Sequence, residues 1–503
     1  MSFRRGAAAI GVGNALSKVL GVAREVLFAY TLGTGALADA FRLALSLVLI
    51  PTHFVTGELS LASVVPVLRR ASLSSPEAGR KVGHQFSLAL VAYGFVLALL
   101  LVFGANALVA VFAPGFDATS QGLARRFLRV LGLASPFYAL ASACVILTIA
   151  QGRFRLTAVK PVVQNLGLLA GLLFFLRFHL TALLAWGFVA AYLGLSLAGL
   201  REVRSANSRL VPGQATVPNR LFHWREIWDQ MRALSILIVV TQCGLIGERM
   251  ITTLAGTGSV AAIDYARFVT ETPSLIIAMP GAIVLLAKFA GGEWNEHAEQ
   301  GARLCRIVVY TTLPFAVGAV TAARLVVSVV FERGAFGTES AGLVEAALVG
   351  SSAGVLTGSL AYVVQRVFSA RRRNRDLLAG LIASTVTSLG IALLLVRSQG
   401  VLAIGVASSV GQGLYALWGL HRMGMLRALR SVAIPVLCCS AAGMVAWVGL
   451  KTTGALQLSR WVLLAPASVT GACLLSFEAV RRDLAWAIPG LARRKGERAT
   501  SNG

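Results

Sequence analysis

Apolar residues recur along the chain in runs close to the ~20-residue length that an α-helix needs to cross a bilayer, with polar residues gathered between them. Fourteen such runs are predicted: residues 8–32, 36–56, 84–112, 127–150, 158–176, 180–200, 233–254, 261–287, 304–331, 343–368, 377–396, 400–420, 431–450 and 461–478. The expected class is therefore an all-α polytopic membrane protein.

Composition points the same way. The 503 residues are 56% hydrophobic and only 13% charged, and the mean hydropathy is +0.76. A soluble chain of that composition would expose large apolar surface. The formal net charge of +25 would suggest nucleic acid in a soluble chain, so the placement of the cations matters more than their number. With a cytoplasmic N-terminus, the even-numbered connections and both tails hold most of the 46 Lys and Arg, among them Arg4, Arg5, Arg69, Arg70, Arg80, Lys81, Arg153, Arg155, Lys160, Arg201, Arg204, Arg371–Arg373 and Arg493–Lys495. That is the positive-inside bias, which predicts both termini cytoplasmic and reads the basic loops as topogenic, with no nucleic-acid partner.

The six cysteines (Cys144, Cys243, Cys305, Cys438, Cys439, Cys473) fall inside apolar runs without paired-ligand spacing. This argues for small apolar packers, with neither a disulfide framework nor a metal site. The first apolar run contains Lys18 and Arg24 and lacks a small-residue cleavage site, so it is expected to stay in the protein.

An internal repeat is visible. Arg24-Glu25, a Gly33-Thr-Gly35 turn and Asp39/Arg42 have counterparts in Glu248-Arg249, Gly256-Thr-Gly258 and Asp264/Arg267, about 223 residues later. Six predicted spans separate the two copies, and an even offset makes the repeats parallel about an axis along the membrane normal. The expected organisation is an N-terminal lobe at 1–200, a basic cytoplasmic linker at 201–232 and a C-terminal lobe at 233–425. A helix pair follows at 426–480 and a basic cytoplasmic tail without a fold of its own at 481–503. Two six-helix lobes and a C-terminal pair account for the fourteen spans. Gly33, Gly35, Gly256 and Gly258 mark corresponding joints and are hinge candidates.

Charges inside apolar helices are the chemical clue, because an ionisable group at the bilayer centre costs roughly 2.5–3.5 kcal/mol on insertion scales. On the first run Asn14, Lys18, Gly21 and Glu25 share one helical stripe, with Arg24 about a third of a turn away. Lys18 and Arg24 could present positive charge to an anionic substrate, or could belong to a structural ion network. In the eighth run Asp264, Arg267 and Glu271 share a face, and in the seventh Thr241, Gly244, Glu248 and Thr252 line another. Glu25, Asp39, Glu58, Glu248, Asp264 and Glu271 are the acidic candidates for coupling, cation binding or simple neutralisation of neighbouring arginines. Asp39 also fits an ordinary cap. No HExxH, Walker loop, GxSxG or similar catalytic constellation accompanies the six histidines, so no enzyme activity and no cofactor are expected. Transport would then draw on the membrane potential, a monovalent cation gradient or consumption of the product.

Several motifs together resemble a known family. Ser17-Lys-Val-Leu-Gly-Val-Ala-Arg-Glu25, the Gly-x-Gly-x-x-x-Asp39-Ala-Phe stretch and Val65-Pro-Val-Leu68 are similar to the N-terminal signature of the lipid II flippase family (MurJ/MviN), within the multidrug/oligosaccharidyl-lipid/polysaccharide exporter superfamily. Ala113-Pro-Gly-Phe116, Arg153-Phe154 with Pro161 and Asn165, Tyr265-Ala266 with Pro273, and Phe331-x-x-Gly334-x-Phe336 extend the likeness over roughly residues 10–370. The resemblance implies fourteen helices in the bacterial inner membrane and movement of an undecaprenyl-pyrophosphate-linked saccharide to the outer leaflet by alternating access. It also implies membrane lipid and cell-wall synthesis proteins as partners, and Lys18, Arg24 and Arg267 as pyrophosphate ligands.

The chain departs from the family pattern in places. Pro51-Thr52-His53 and Gly57-Glu58 stand where the family has Pro-Asn, paired arginines and Glu-Gly. Lys18 replaces an arginine, Arg267 sits about one position early, and Ser369–Asp376 replaces an Asp-x-x-Thr-Pro stretch. A different polyprenyl-linked oligosaccharide, or a small molecule exported by cation coupling, therefore stands beside lipid II as substrate. A non-transporting scaffold using its basic loops is the alternative of another class, and intramembrane charge argues against it.

Overall fold

The computed structural model describes residues 3–207, 224–273, 294–371, 373–452 and 465–487. These form nineteen helices and no strand. The chain divides into two compact units, residues 1–261 with 333–337, and residues 262–332 with 338–503.

The first unit opens with α1 (Phe3–Leu32) and α2 (Ala36–Thr56), which breaks at Gly57 before α3 (Glu58–Ser74). Next come α4 (Pro76–Phe103), α5 (Ala105–Phe112), α6 (Ala118–Gly132) and α7 (Ser135–Ala150), followed by α8 (Arg155–Phe178), α9 (Ala182–Asn207) and α10 (Trp224–Thr253). Local chemistry sets the boundaries. Ser75 caps α4 by accepting from the Ala78 N–H at 3.0 Å, with Pro76 in the first turn where its missing N–H costs nothing. Asp117 caps α6 through the N–H groups of Ser120 and Thr119, and the Ser120 bond holds its carboxyl below the usual range. Val64 and Leu68 of α3, Phe86 and Leu90 of α4, and Ala139, Ala143 and Ile146 of α7 form one buried apolar cluster.

After α11 (Ser259–Pro273), the second unit contains α12 (Trp294–Thr321), α13 (Ala323–Val330), α14 (Thr338–Ala370), α15 (Asn374–Gln399) and α16 (Val401–Arg422). It ends with α17 (Leu426–Thr452), α18 (Ala465–Ser476) and α19 (Glu478–Ala487). The repeat is legible in helix lengths: 28-residue α4 and 8-residue α5 have counterparts in 28-residue α12 and 8-residue α13. Tyr310 and Leu313 of α12, Cys439 of α17, Leu474 of α18 and Val480 of α19 share a core.

The protein is all-helical and membrane-spanning. Nine described helices are long and apolar enough to cross a membrane, or ten if the bent pair α6 and α7 is one span. The nine exclude α1, whose apolar run is interrupted by Lys18, Arg24 and Glu25.

The structure corrects some boundaries. Helices α9 and α10 extend into the expected 201–232 linker, of which 208–223 lie outside the described residues. The expected tail begins inside α19, where Asp483 is clamped by Arg306 at 2.7 Å and Arg303 at 3.3 Å on α12, while Val480 packs in the core. An amphipathic helix pinned by one buried carboxylate reads as a basic tail because its anchors lie far upstream in sequence. Residues 488–503 lie outside the described residues. Lys160 is not a loop cation: it sits within α8, donating to Ser142 Oγ at 2.8 Å, with its ammonium 4.3 Å from the centre of the Tyr138 ring. Its sequence neighbours Arg153 and Arg155 gave it the look of a topogenic cluster.

Candidate functional site

In the first unit α1, α2 and α8 bring together the charges expected from the α1 stripe. Arg24 donates from Nη1 to Asn165 Oδ1 at 2.8 Å and from Nη2 to Glu25 Oε1 at 2.6 Å. The other Glu25 oxygen accepts from Arg42 Nη2 at 2.6 Å, and the Arg42 guanidinium lies 5.8 Å from the centre of the Phe28 ring. Asn165 is itself fixed, donating from Nδ2 to the Ser17 carbonyl at 3.0 Å and to Ser17 Oγ at 3.1 Å.

Glu25 is thus a buried counter-ion shared by two arginines, which offsets part of their desolvation cost. Arg42 and Glu25 are almost enclosed, whereas the Arg24 side chain is 22% exposed. Arg24 spends two of the five N–H donors a guanidinium carries. Lys18, on the same helix, is exposed and makes no hydrogen bond or ion pair among the described residues. The accessible positive charge of this group sits on Lys18 and on the outer part of Arg24. Such an arrangement suits a ligand with clustered negative oxygens, for which a guanidinium gives directional contacts and an ammonium a point charge.

Asp39 plays a different part. Its Oδ2 accepts from the Gly258 N–H at 2.6 Å and its Oδ1 from the Ala261 N–H at 2.7 Å, so it caps the opening turn of α11, which belongs to the first unit. The carboxylate is fully buried. The sequence suggested a cap for its own helix, and the structure places the cap on the matching joint of the other repeat.

The hinge candidates separate. Gly33, Gly256 and Gly258 have φ of 57°, 100° and 89°, whereas Gly35 is extended, with φ −82° and ψ 177° as the N-cap of α2, so any residue could adopt its backbone. Two further loops meet these helix exits within the first unit. The Ala335 N–H donates to the Tyr30 carbonyl at 2.7 Å, beside Gly334. The Gly115 N–H donates to Thr253 Oγ1 at 3.2 Å. A Cβ on Gly115 would lie 2.1 Å from the Thr253 carbonyl oxygen, which explains the glycine in the Ala113–Phe116 motif. The loop after α5 therefore meets the exit of α10, and the loop after α13 meets the exit of α1.

In the second unit Arg267 and Glu271 line a cavity of about 230 Å³ with Thr270, Ser351, Tyr362, Ser408, Ser409 and Gln412, among others. Glu248, Arg249, Asp264, Arg267 and Glu271 each have an interaction partner. Glu58 opens α3, and its side chain lies outside the described residues. The sequence shows Arg42 as a charge beside Asp39 in the repeated motif and Asn165 as part of the family motif; the fold puts them against Glu25 and Arg24.

Comparisons with known proteins bear on the family and the fold. The family model described as Lipid II flippase MurJ matches residues 28–466. A protein of Rhizobium tropici named as a probable lipid II flippase MurJ is 25% identical over 96% of this chain and 94% of its own length. Among solved structures, a lipid II flippase MurJ in an inward closed conformation matches with a TM-score of 0.77 at 16% identity, covering 94% of this chain and 99% of that one. An inward-facing multidrug resistance MATE family transporter of the MOP superfamily matches with a TM-score of 0.66 at 16% identity, over 82% of this chain and 95% of that one. At these identities the two structures speak for the fold.

Proposed function

The chain belongs to the MurJ lipid II flippase family, and from that premise we propose that it carries lipid II, an undecaprenyl-pyrophosphate-linked saccharide, from the inner to the outer leaflet by alternating access. The membrane is the bacterial cytoplasmic membrane, with both termini on the cytoplasmic side, as the one-sided cations favour.

The observation that carries this reading is the presence on one helix of Lys18, exposed and without a partner among the described residues, and of partly exposed Arg24, which Glu25 and Asn165 brace, with Arg42 behind Glu25. A pyrophosphate offers the clustered negative oxygens that such cations recognise, and its charge would offset the cost of keeping them in the membrane. Arg42 and Glu25 act as positioning residues, holding the Arg24 fork in one orientation. Asp39 stabilises the joint at which the repeats exchange loops, so it acts on conformation more than on the ligand. Coupling draws on the membrane potential or a monovalent cation, with no cofactor, and cell-wall synthesis proteins are the protein partners.

Depletion of the protein tests the substrate. Lipid II is expected to accumulate in the inner leaflet. Normal lipid II with accumulation of another polyprenyl-linked oligosaccharide would contradict the assignment and favour the alternative that the Pro51-Thr52-His53 departure keeps open.

A further inference from the structure

The cavity of the second unit has a chemistry unlike that of the α1 stripe. Three helices line it: Ile263, Arg267, Thr270 and Glu271 come from α11, Ser351 and Tyr362 from α14, and Ser408 and Gln412 from α16. At about 230 Å³ it has room for several ordered waters or one ring-sized ligand.

Arg267 and Glu271 bring one charge of each sign, the other polar groups are neutral, and one of these is buried without a partner among the described residues. The Tyr362 hydroxyl is buried and makes no hydrogen bond among the described residues. Gln412 donates from Nε2 to Ser408 Oγ at 3.3 Å, while its carbonyl oxygen Oε1 accepts none among the described residues. By contrast Thr270 and Ser409 spend their hydroxyls on helix carbonyls, Ala266 at 3.1 Å and Gly405 at 2.8 Å. Gln412 lies against Gly358 of α14, where a Cβ would come 2.5 Å from Oε1. A buried hydroxyl left unsatisfied costs free energy that a structure normally avoids, and half-buried Gln412 adds an acceptor beside it.

We propose that this cavity is a saccharide subsite, taking one hydroxyl-bearing sugar ring of the lipid-linked headgroup with Tyr362, Gln412, Ser408 and Ser351. Neutral groups that both donate and accept match sugar hydroxyls, which do the same, and have no excess charge to attract phosphate. This rests on the flippase reading of the preceding section.

The test uses the full-length protein in nanodiscs, with undecaprenyl pyrophosphate and lipid II as the two probes. Tyr362→Phe keeps the ring and removes only an unpartnered hydroxyl, so folding and thermal stability should hold; Gln412→Ala is the second variant. Each is expected to weaken lipid II binding about tenfold, the loss of roughly one buried hydrogen bond, and to leave undecaprenyl pyrophosphate binding within about twofold. Equal weakening of both probes, or no change in either, overturns the subsite while leaving the flippase reading intact. A wild-type protein that binds neither probe overturns the flippase reading, and the subsite with it.

Discussion

The carboxylate of Asp39 accepts the backbone N–H of Gly258 at 2.6 Å, across 219 residues of sequence. With the second bond from Ala261 at 2.7 Å, a side chain from the first joint of the repeat completes the helix that starts at the second. Two orphan donors of a helix N-terminus are satisfied by one buried anion, an arrangement that both hydrogen bonding and the helix dipole favour.

Asp39→Asn keeps the shape but replaces one acceptor by an amide that faces an N–H donor. The expected cost is about 1–3 kcal/mol, the penalty of an unsatisfied buried group. Thermal unfolding in detergent measures it, and an unchanged midpoint would show that the cap carries no stability.

Glu25→Gln removes the anion that Arg24 and Arg42 share. Breaking a buried pair costs about 3–5 kcal/mol, and Glu25→Gln combined with Arg42→Met should cost less than the sum of the two single changes, because both act on one network. A double-mutant cycle on unfolding free energies checks this, and strict additivity would contradict the network.

Lys18→Ala should leave stability unchanged, since the side chain is exposed and has no partner among the described residues, but weaken binding of a pyrophosphate lipid by roughly tenfold or more, the loss of a charge-assisted contact. Lys18→Arg should restore it. Binding to undecaprenyl pyrophosphate in nanodiscs gives the comparison, and full affinity in the alanine variant would remove Lys18 from the site.

Asp483→Ala should release α19 from α12. Arg306 loses its 2.7 Å partner, leaving Glu299 at 3.0 Å, at a cost of about 1–3 kcal/mol. Limited proteolysis reads it directly: cleavage near 478–487 should quicken while the rest of the chain stays protected.

The sequence made legible whatever depends on local period and spacing. The α1 stripe, the paired Gly-Thr-Gly joints and the all-helical class each follow from residues a few positions apart. Partners across the fold did not follow. Arg42 meets Glu25 and Asn165 meets Arg24 only once α2 and α8 pack on α1, and no periodicity encodes that choice. Lys160 shows the same limit in reverse: its neighbours Arg153 and Arg155 suggested a topogenic loop, while the fold draws it inside against Tyr138. Gly35 stood in a repeated motif, yet the backbone there is extended, so motif symmetry did not translate into conformational symmetry.

Translocation by the purified protein tests the central claim most directly. Proteoliposomes carrying lipid II in one leaflet, with the opposite leaflet sampled by a reagent that reaches only exposed headgroups, report movement against time. Wild-type protein is expected to expose lipid II, Lys18→Ala to slow it by roughly tenfold or more, and Lys18→Arg to recover it. Equal rates in the wild type and the alanine variant, or no translocation of lipid II by the wild type, would contradict the account.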